Sequence, residues 1–229
     1  MILNNIIKDQ LNGIAPVPGK TGVDWYFFCY FLESLCNTNM LEIGAGAGGS
    51  TISMLSYAKS VTVIDSWEPG WPKQPVQTLV DRYKLPVKWI DKQSAKVNQT
   101  ELEKYTFTHL DANKDYCAIL YDLELASTVT TDIICVDDYL QSTWPEVTWA
   151  VDKWIAHSKW KRILIGNHQV FLSCKKLLIK EIVANWPVID RGYGYHLNYG
   201  KFPDELMVNQ FIKSGDMKYS WHNHQQLQK

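Results

Sequence analysis

The chain has 229 residues, 46% hydrophobic and 21% charged, an ordinary globular mixture long enough for one sizeable core in a single domain. A formal net charge of -1 leaves no basic field to draw in nucleic acid or an anionic membrane surface, so a small-molecule partner is expected. No apolar run approaches the roughly 20 residues that a membrane-spanning helix needs.

Met1 to Gly19 lacks the basic and continuous apolar regions of a signal peptide. Cys29, Cys36, Cys117, Cys135 and Cys174 are scattered, with no C-x-x-C spacing, and read as reduced core thiols of a cytoplasmic protein. Asn12 to Gly19 is a loop. From Thr21 and Asp24 onward, Val23, Phe27, Tyr30, Phe31 and Leu35 recur at helical spacing, which predicts an amphipathic helix ending near Asn37.

Met40 to Thr51 reads as a strand, a glycine turn and a helix start. Leu41 and Ile43 form the apolar strand end. Gly44, Gly46 and Gly48 permit positive φ and close approach of a ligand to the backbone, and Ser50 or Thr51 can cap the helix. Gly44, Gly46 and Gly49 also satisfy the dinucleotide pattern G-x-G-x-x-G, whose amides would take a pyrophosphate. Glu42, two residues before the first glycine, would repel that group and favour a cationic or hydroxyl-bearing ligand.

Thr51 to Ala58 is a helix, and Ser60 to Asp65 a second strand whose terminal acid can accept from ribose hydroxyls. Ser66 and Trp67 follow it, and Trp67 or Trp71 either stacks on adenine or covers the loop. After a helix from Val76 to Tyr83 and a strand from Val87 to Ile90, Gln93 and Ser94 either hydrogen-bond adenine or cap the next helix. Phe107 to Asp111 is the fourth strand, Tyr116 to Leu125 a helix, Asp132 to Asp138 the fifth strand, and Val147 to Ile155 its return helix. Strands this uniformly apolar, alternating with helices, predict a parallel sheet covered on both faces. Lys161 to Ile165 and Val170 to Ser173 flank the turn pair Gly166-Asn167 and predict an antiparallel hairpin at the sheet edge. A helix from Lys175 to about Trp186 follows. Trp186 to Phe202, rich in aromatics and glycine, reads as a lid or a homo-oligomer contact, and the tail from Ser214, with His222 and His224, as surface.

Three carboxylates stand at strand ends: Asp111 after the fourth strand, and Asp137 with Asp138 after the fifth. Parallel strands present their carboxyl ends on one edge, where ligands bind. Two carboxylates about 4 Å apart repel by about 4 kcal/mol at an effective dielectric near 20. Either their pKa values rise or a cation is present, and oxygen ligands favour Mg²⁺, with Ca²⁺ or Mn²⁺ as alternatives. His109 reads as a core residue and His168 as a turn residue without a role, while Tyr139 and Trp144 are placed at the border of an acceptor pocket. The plainer reading of the three acids is helix capping and surface charge.

The spelling Glu42-x-Gly44-x-Gly46-x-Gly48 resembles the first motif of class I S-adenosylmethionine methyltransferases. Asp111-Ala112-Asn113-Lys114-Asp115 resembles the D-x-x-K-D motif of cation-dependent O-methyltransferases of the catechol and caffeoyl-coenzyme A type. Asp137-Asp138-Tyr139 with Trp144-Pro145 is similar to the macrocin type, which methylates sugar hydroxyls. The likeness spans about residues 21 to 174. It implies a Rossmann-like class I sandwich, a mostly parallel seven-stranded sheet with an antiparallel edge hairpin and helices on both faces. Residues 1–38 would be a helical segment, 39–174 the cofactor-binding core and 175–229 a C-terminal helix and lid.

It further implies transfer of a methyl group from S-adenosylmethionine to a small-molecule hydroxyl, assisted by a divalent cation. Asp111, Asp137 and Asp138 would be the metal ligands and Lys114 the general base, against the plainer reading of Lys114 as a solvated charge at a helix start. Cofactor contacts are expected from Glu42, Gly44, Gly46, Gly48, Ser50, Asp65, Ser66, Trp67, Gln93, Ser94 and Asp111. Two other functions stay open at this point. One is a nicotinamide-dependent oxidoreductase, from the overlapping G-x-G-x-x-G, and the other a non-catalytic protein that binds S-adenosylmethionine.

Overall fold

Five nearly all-apolar runs become the parallel centre of one sheet. The computed structural model describes residues 28, 31, 32, 34–67, 71–165 and 168–175, with the backbone alone at 166, 193–199 and 206–212. Strands β1 (Asn39–Ile43), β2 (Ser60–Asp65), β3 (Val87–Asp91), β4 (Tyr105–Leu110) and β5 (Thr130–Val136) pair in parallel in the order β3-β2-β1-β4-β5. Each is largely apolar because helices cover both faces. Helices α1 (Gly49–Leu55), α2 (Gln74–Tyr83), α3 (Tyr116–Val129) and α4 (Pro145–His157) provide that cover.

The predicted hairpin is present. β6 (Lys161–Gly166) and β7 (Gln169–Ser173) pair antiparallel, and β7 returns between β5 and β6, antiparallel to both. These seven strands form the expected mixed sheet, and it continues: β9 (Leu206–Ile212) lies parallel to β6, and β8 (Tyr193–Tyr199) pairs antiparallel with β9 at the far edge. Part of the segment read as a lid or contact surface is therefore the edge strand of the sheet. The helix expected from Lys175 to Trp186 and the tail from Ser214 lie outside the described residues.

Two apolar layers sandwich the sheet. On one face Phe28, Leu32, Met40, Ile52, Val63, Val76, Leu79, Phe107 and Phe171 pack together. On the other, Leu41, Ile43, Leu110, Leu123, Ile134, Val136, Val151 and Leu172 do so under α3 and α4. α2 contributes Val76, Leu79 and Val80, each worth about 1.5–3 kcal/mol on full burial. α3 runs four residues beyond the sequence-predicted Leu125, since Leu125, Ala126 and Val129 all find buried positions and no glycine stops the helix. The thiols divide differently from expectation: Cys135 is buried, Cys174 half-buried, and Cys36 and Cys117 are exposed. Among the described residues no helix is long and apolar enough to cross a membrane.

Candidate functional site

The carboxyl ends of β1, β2, β4 and β5 bring the predicted residues to one edge. The glycine turn follows β1 with Gly44, Gly46 and Gly48 all at positive φ, 86°, 50° and 84°. At Gly44 the close approach that forbids a side chain comes from the chain itself: a Cβ there would lie 2.4 Å from the Asp111 carbonyl oxygen and 2.5 Å from Ala112. Gly46 is the more open member: among the described residues a Cβ there would meet only the Trp71 ring, at 4.0 Å. Gly44 lets the chain after β4 pack against the turn, while Gly46 has no such close neighbour among the described residues.

Neither Ser50 nor Thr51 caps α1. Gly48 in the left-handed conformation is the N-cap, which places both residues inside the first turn. Thr51 instead donates its hydroxyl to Glu42 Oε2. Glu42 has no exposed surface, and its other oxygen lies 3.3 Å from His109 Nδ1 on β4, its register partner. The motif acid thus stands beneath the turn, tying β1 to α1 and β4. Asp65 ties the turn to β2. Its Oδ2 accepts from the Ala45 and Gly46 amides at 2.7 and 3.1 Å, and its Oδ1 accepts from the Trp67 amide at 2.7 Å.

Beyond Asp65, Trp67 adopts a left-handed φ of 53° and packs edge-on against Trp89. Its indole N–H donates to Asp91, and the Lys73 ammonium lies over both rings and pairs with Asp91 at 2.8 Å. Burial pushes the Asp91 carboxyl up, but hydrogen bonds from Lys73 and Trp67 outweigh it and hold the group below its ordinary value. Ser66 and Gln93 are exposed, while Ser94 hydrogen-bonds the side chain of Asp122 on α3. Gln93 and Ser94 open a short 3-10 turn rather than a helix, with Gln93 as its N-cap.

The acids assemble at the ends of β4 and β5. Register pairs Leu110 with Val136, and the Asp137 amide donates to the Leu110 carbonyl at 3.0 Å, so Asp111 and Asp137 emerge side by side. One ligand atom from each of His109, Asp111 and Asp137 falls within 4.8 Å of the others. Phe107, His109 and Asp111 share a strand face by their spacing of two, and Phe28 packs edge-on against both Phe107 and His109. His109, read from sequence as a core residue, is buried as expected and also stands in the acid cluster. Its spacing of two from Asp111 was the signal.

Asp138 is not among those three and reaches them through Lys114. It adopts φ 60°, and its Oδ2 lies 2.7 Å from Lys114 Nζ, whose ammonium also donates to Asp111 Oδ1 at 2.5 Å. Burial works to lower the Lys114 pKa, but the Asp111 and Asp138 carboxylates more than offset it, leaving the ammonium above its ordinary value. Lys114 is a bridging cation here and not a solvated charge.

Asp122 was not singled out by sequence. It lines a small pocket with Leu110, Lys114, Val136 and Asp137, is buried, and has an Oδ1 without a hydrogen-bond partner among the described residues. Burial raises its pKa to about 6. Tyr139, read as a border of the acceptor pocket, bonds within the chain. It is buried, donates to Asp152 at 2.7 Å and accepts from Arg162 at 2.9 Å, so it joins α4 to β6. Trp144 is 41% exposed just before α4. His168 is exposed at φ 60°, and its carbonyl accepts from the Tyr139 amide.

No protein-family model matches this chain, and no curated protein matches it in sequence. Solved structures do match. Cofactor-bound Rv0187 from MTB superposes with a TM-score of 0.59 at 14% identity, over 76% of this chain and 89% of that one. The O-methyltransferase NovP gives 0.56 at 17% identity, over 66% and 80%. The S-adenosylhomocysteine-bound methyltransferase PaMTH1 of Podospora anserina gives 0.52 at 15%, over 65% and 76%. The chain carries the Rossmann-like sandwich fold of these structures, two of which are methyltransferases.

Proposed function

We propose that this chain is an S-adenosylmethionine-dependent O-methyltransferase that acts on a hydroxyl of a small molecule, a sugar, phenol or natural product, with help from a divalent cation. The observation that carries this reading is the convergence of Asp111, Asp137 and His109 on the sheet edge that also holds the glycine turn and Asp65. The likeness to an O-methyltransferase supports it.

Oxygen and imidazole donors this close together suit a divalent ion, and the mixed set fits Mn²⁺ as well as Mg²⁺. His109, Asp111 and Asp137 are the residues placed to hold it, with Asp138 engaged by Lys114. When bound, S-adenosylmethionine supplies an electrophilic methyl group and the cation lowers the pKa of the acceptor hydroxyl. In this reading Asp65 accepts from the ribose hydroxyls at the Gly46 side of the turn. Trp67 or Trp71 offers a ring face to adenine. Asp111 and Asp137 fix the position of the acceptor, so that proximity and orientation contribute much of the rate. Lys114 is the candidate base, and it serves only once Asp111 and Asp138 no longer hold its proton.

Calorimetry with S-adenosylmethionine and S-adenosylhomocysteine, with Mg²⁺ and with chelator, tests the reading beside a parallel NADH titration. Tight binding of the methionine cofactors together with separable cation binding is expected. Binding of NADH alone would return the turn to the oxidoreductases.

A further inference from the structure

Lys114 sits where its charge bears directly on the acid cluster. Its ammonium, only 17% exposed at the side chain, contacts Asp111 at 2.5 Å and Asp138 at 2.7 Å. Asp111 is shared: it belongs both to this bridge and to the group with His109 and Asp137. The three carboxylates carry -3 and the ammonium +1, so the cluster is left at -2, the charge that one divalent ion neutralises. The left-handed Asp138 aims its carboxylate at Lys114, which leaves the Asp111–Asp137 side to the imidazole donor.

We propose that the Lys114 ammonium is a resident counter-cation of this cluster, and that a divalent ion gains the Asp111–Asp137 position only in competition with it. The proposal rests on the divalent-cation reading above. Lys114 neutralises part of the cluster in the ion-free protein, and the same charge repels an incoming ion at short range. The affinity of the site is thereby kept lower than two carboxylates and an imidazole alone would give.

The test is titration of Mn²⁺ into wild type, Lys114→Gln and Lys114→Met at one pH and ionic strength, reading free Mn²⁺ by electron paramagnetic resonance. Far-ultraviolet circular dichroism checks the fold of each protein. Lys114→Gln keeps an amide donor for the carboxylates and guards against loss of fold. Removal of the charge is expected to tighten Mn²⁺ binding by about tenfold or more. The melting temperature of the variants should also rise more steeply with added Mn²⁺ than that of wild type. Lys114→Arg, which keeps the charge, should bind no more tightly than wild type. Unchanged or weaker Mn²⁺ affinity in folded Lys114→Gln, with wild type binding measurably, overturns the proposal alone. If neither wild type nor variant binds Mn²⁺ at millimolar concentration, the cation reading falls and takes this inference with it.

Discussion

His109 and Glu42 face each other on adjacent parallel strands, Nδ1 and Oε1 3.3 Å apart, with neither side chain exposed. Glu42 also receives the Thr51 hydroxyl, so one carboxylate joins β1, β4 and α1 beneath the glycine turn. Thr51→Val keeps the shape of the side chain and deletes that donor. It should lower stability by about 1–3 kcal/mol, because a buried acceptor loses a partner. Urea denaturation measures it, and an unchanged midpoint would show that the contact adds nothing to stability.

The demands on Gly44 and Gly46 separate by substitution. Gly44→Ala drives a methyl into the Asp111–Ala112 backbone at a positive φ and should cost about 3 kcal/mol or more. Gly46→Ala, with only the Trp71 ring at 4.0 Å among the described residues, should cost about 1–2 kcal/mol for its positive φ. If thermal melts place the two variants level, the close approach of β4 is not what requires glycine at position 44.

Asp65 holds three backbone amides, and the proposed function gives it the ribose as well. Asp65→Ala should weaken S-adenosylhomocysteine binding by about tenfold or more while the sheet remains folded. An unchanged dissociation constant in calorimetry would remove Asp65 from the cofactor site.

Asp122 makes stability depend on pH in the opposite sense to a salt-bridged acid. Its folded pKa, about 6, lies above the ordinary value of 3.8, so the folded state favours the protonated form. Its contribution is fully present below pH 4 and is lost as pH rises through 6, up to about 3 kcal/mol. Asp122→Asn removes the titration. Denaturation curves from pH 4 to 7.5 should show wild type losing stability relative to the variant, and parallel curves would contradict this.

Most of the sheet was legible because its strands are buried on both faces and therefore read as short apolar runs, as in Ile133 to Val136. The strand β8 was not. Tyr193, Tyr195, Leu197 and Tyr199 do alternate at the strand period, but the interleaved Gly194 and the density of aromatics read as a lid. At the site, strand-end position was enough to pair Asp111 with Asp137, since adjacent parallel strands bring their ends together. Asp138 was read as a third ligand, and its left-handed backbone, which turns it toward Lys114, has no signature in a D-D-Y run. The Glu42–Thr51 and Ser94–Asp122 contacts depend on packing between elements and leave no local pattern.

The turn at Gly44 to Gly48 is held by the chain's own hydrogen bonds. With Asp65 gathering the amides of Ala45, Gly46 and Trp67, the loop has given up its backbone freedom during folding. Ordering a loop residue costs about 1–2 kcal/mol, and a ligand that meets this turn is spared that cost. Its affinity is then set by the contacts it makes at the turn, and its arrival need not wait for the loop to close.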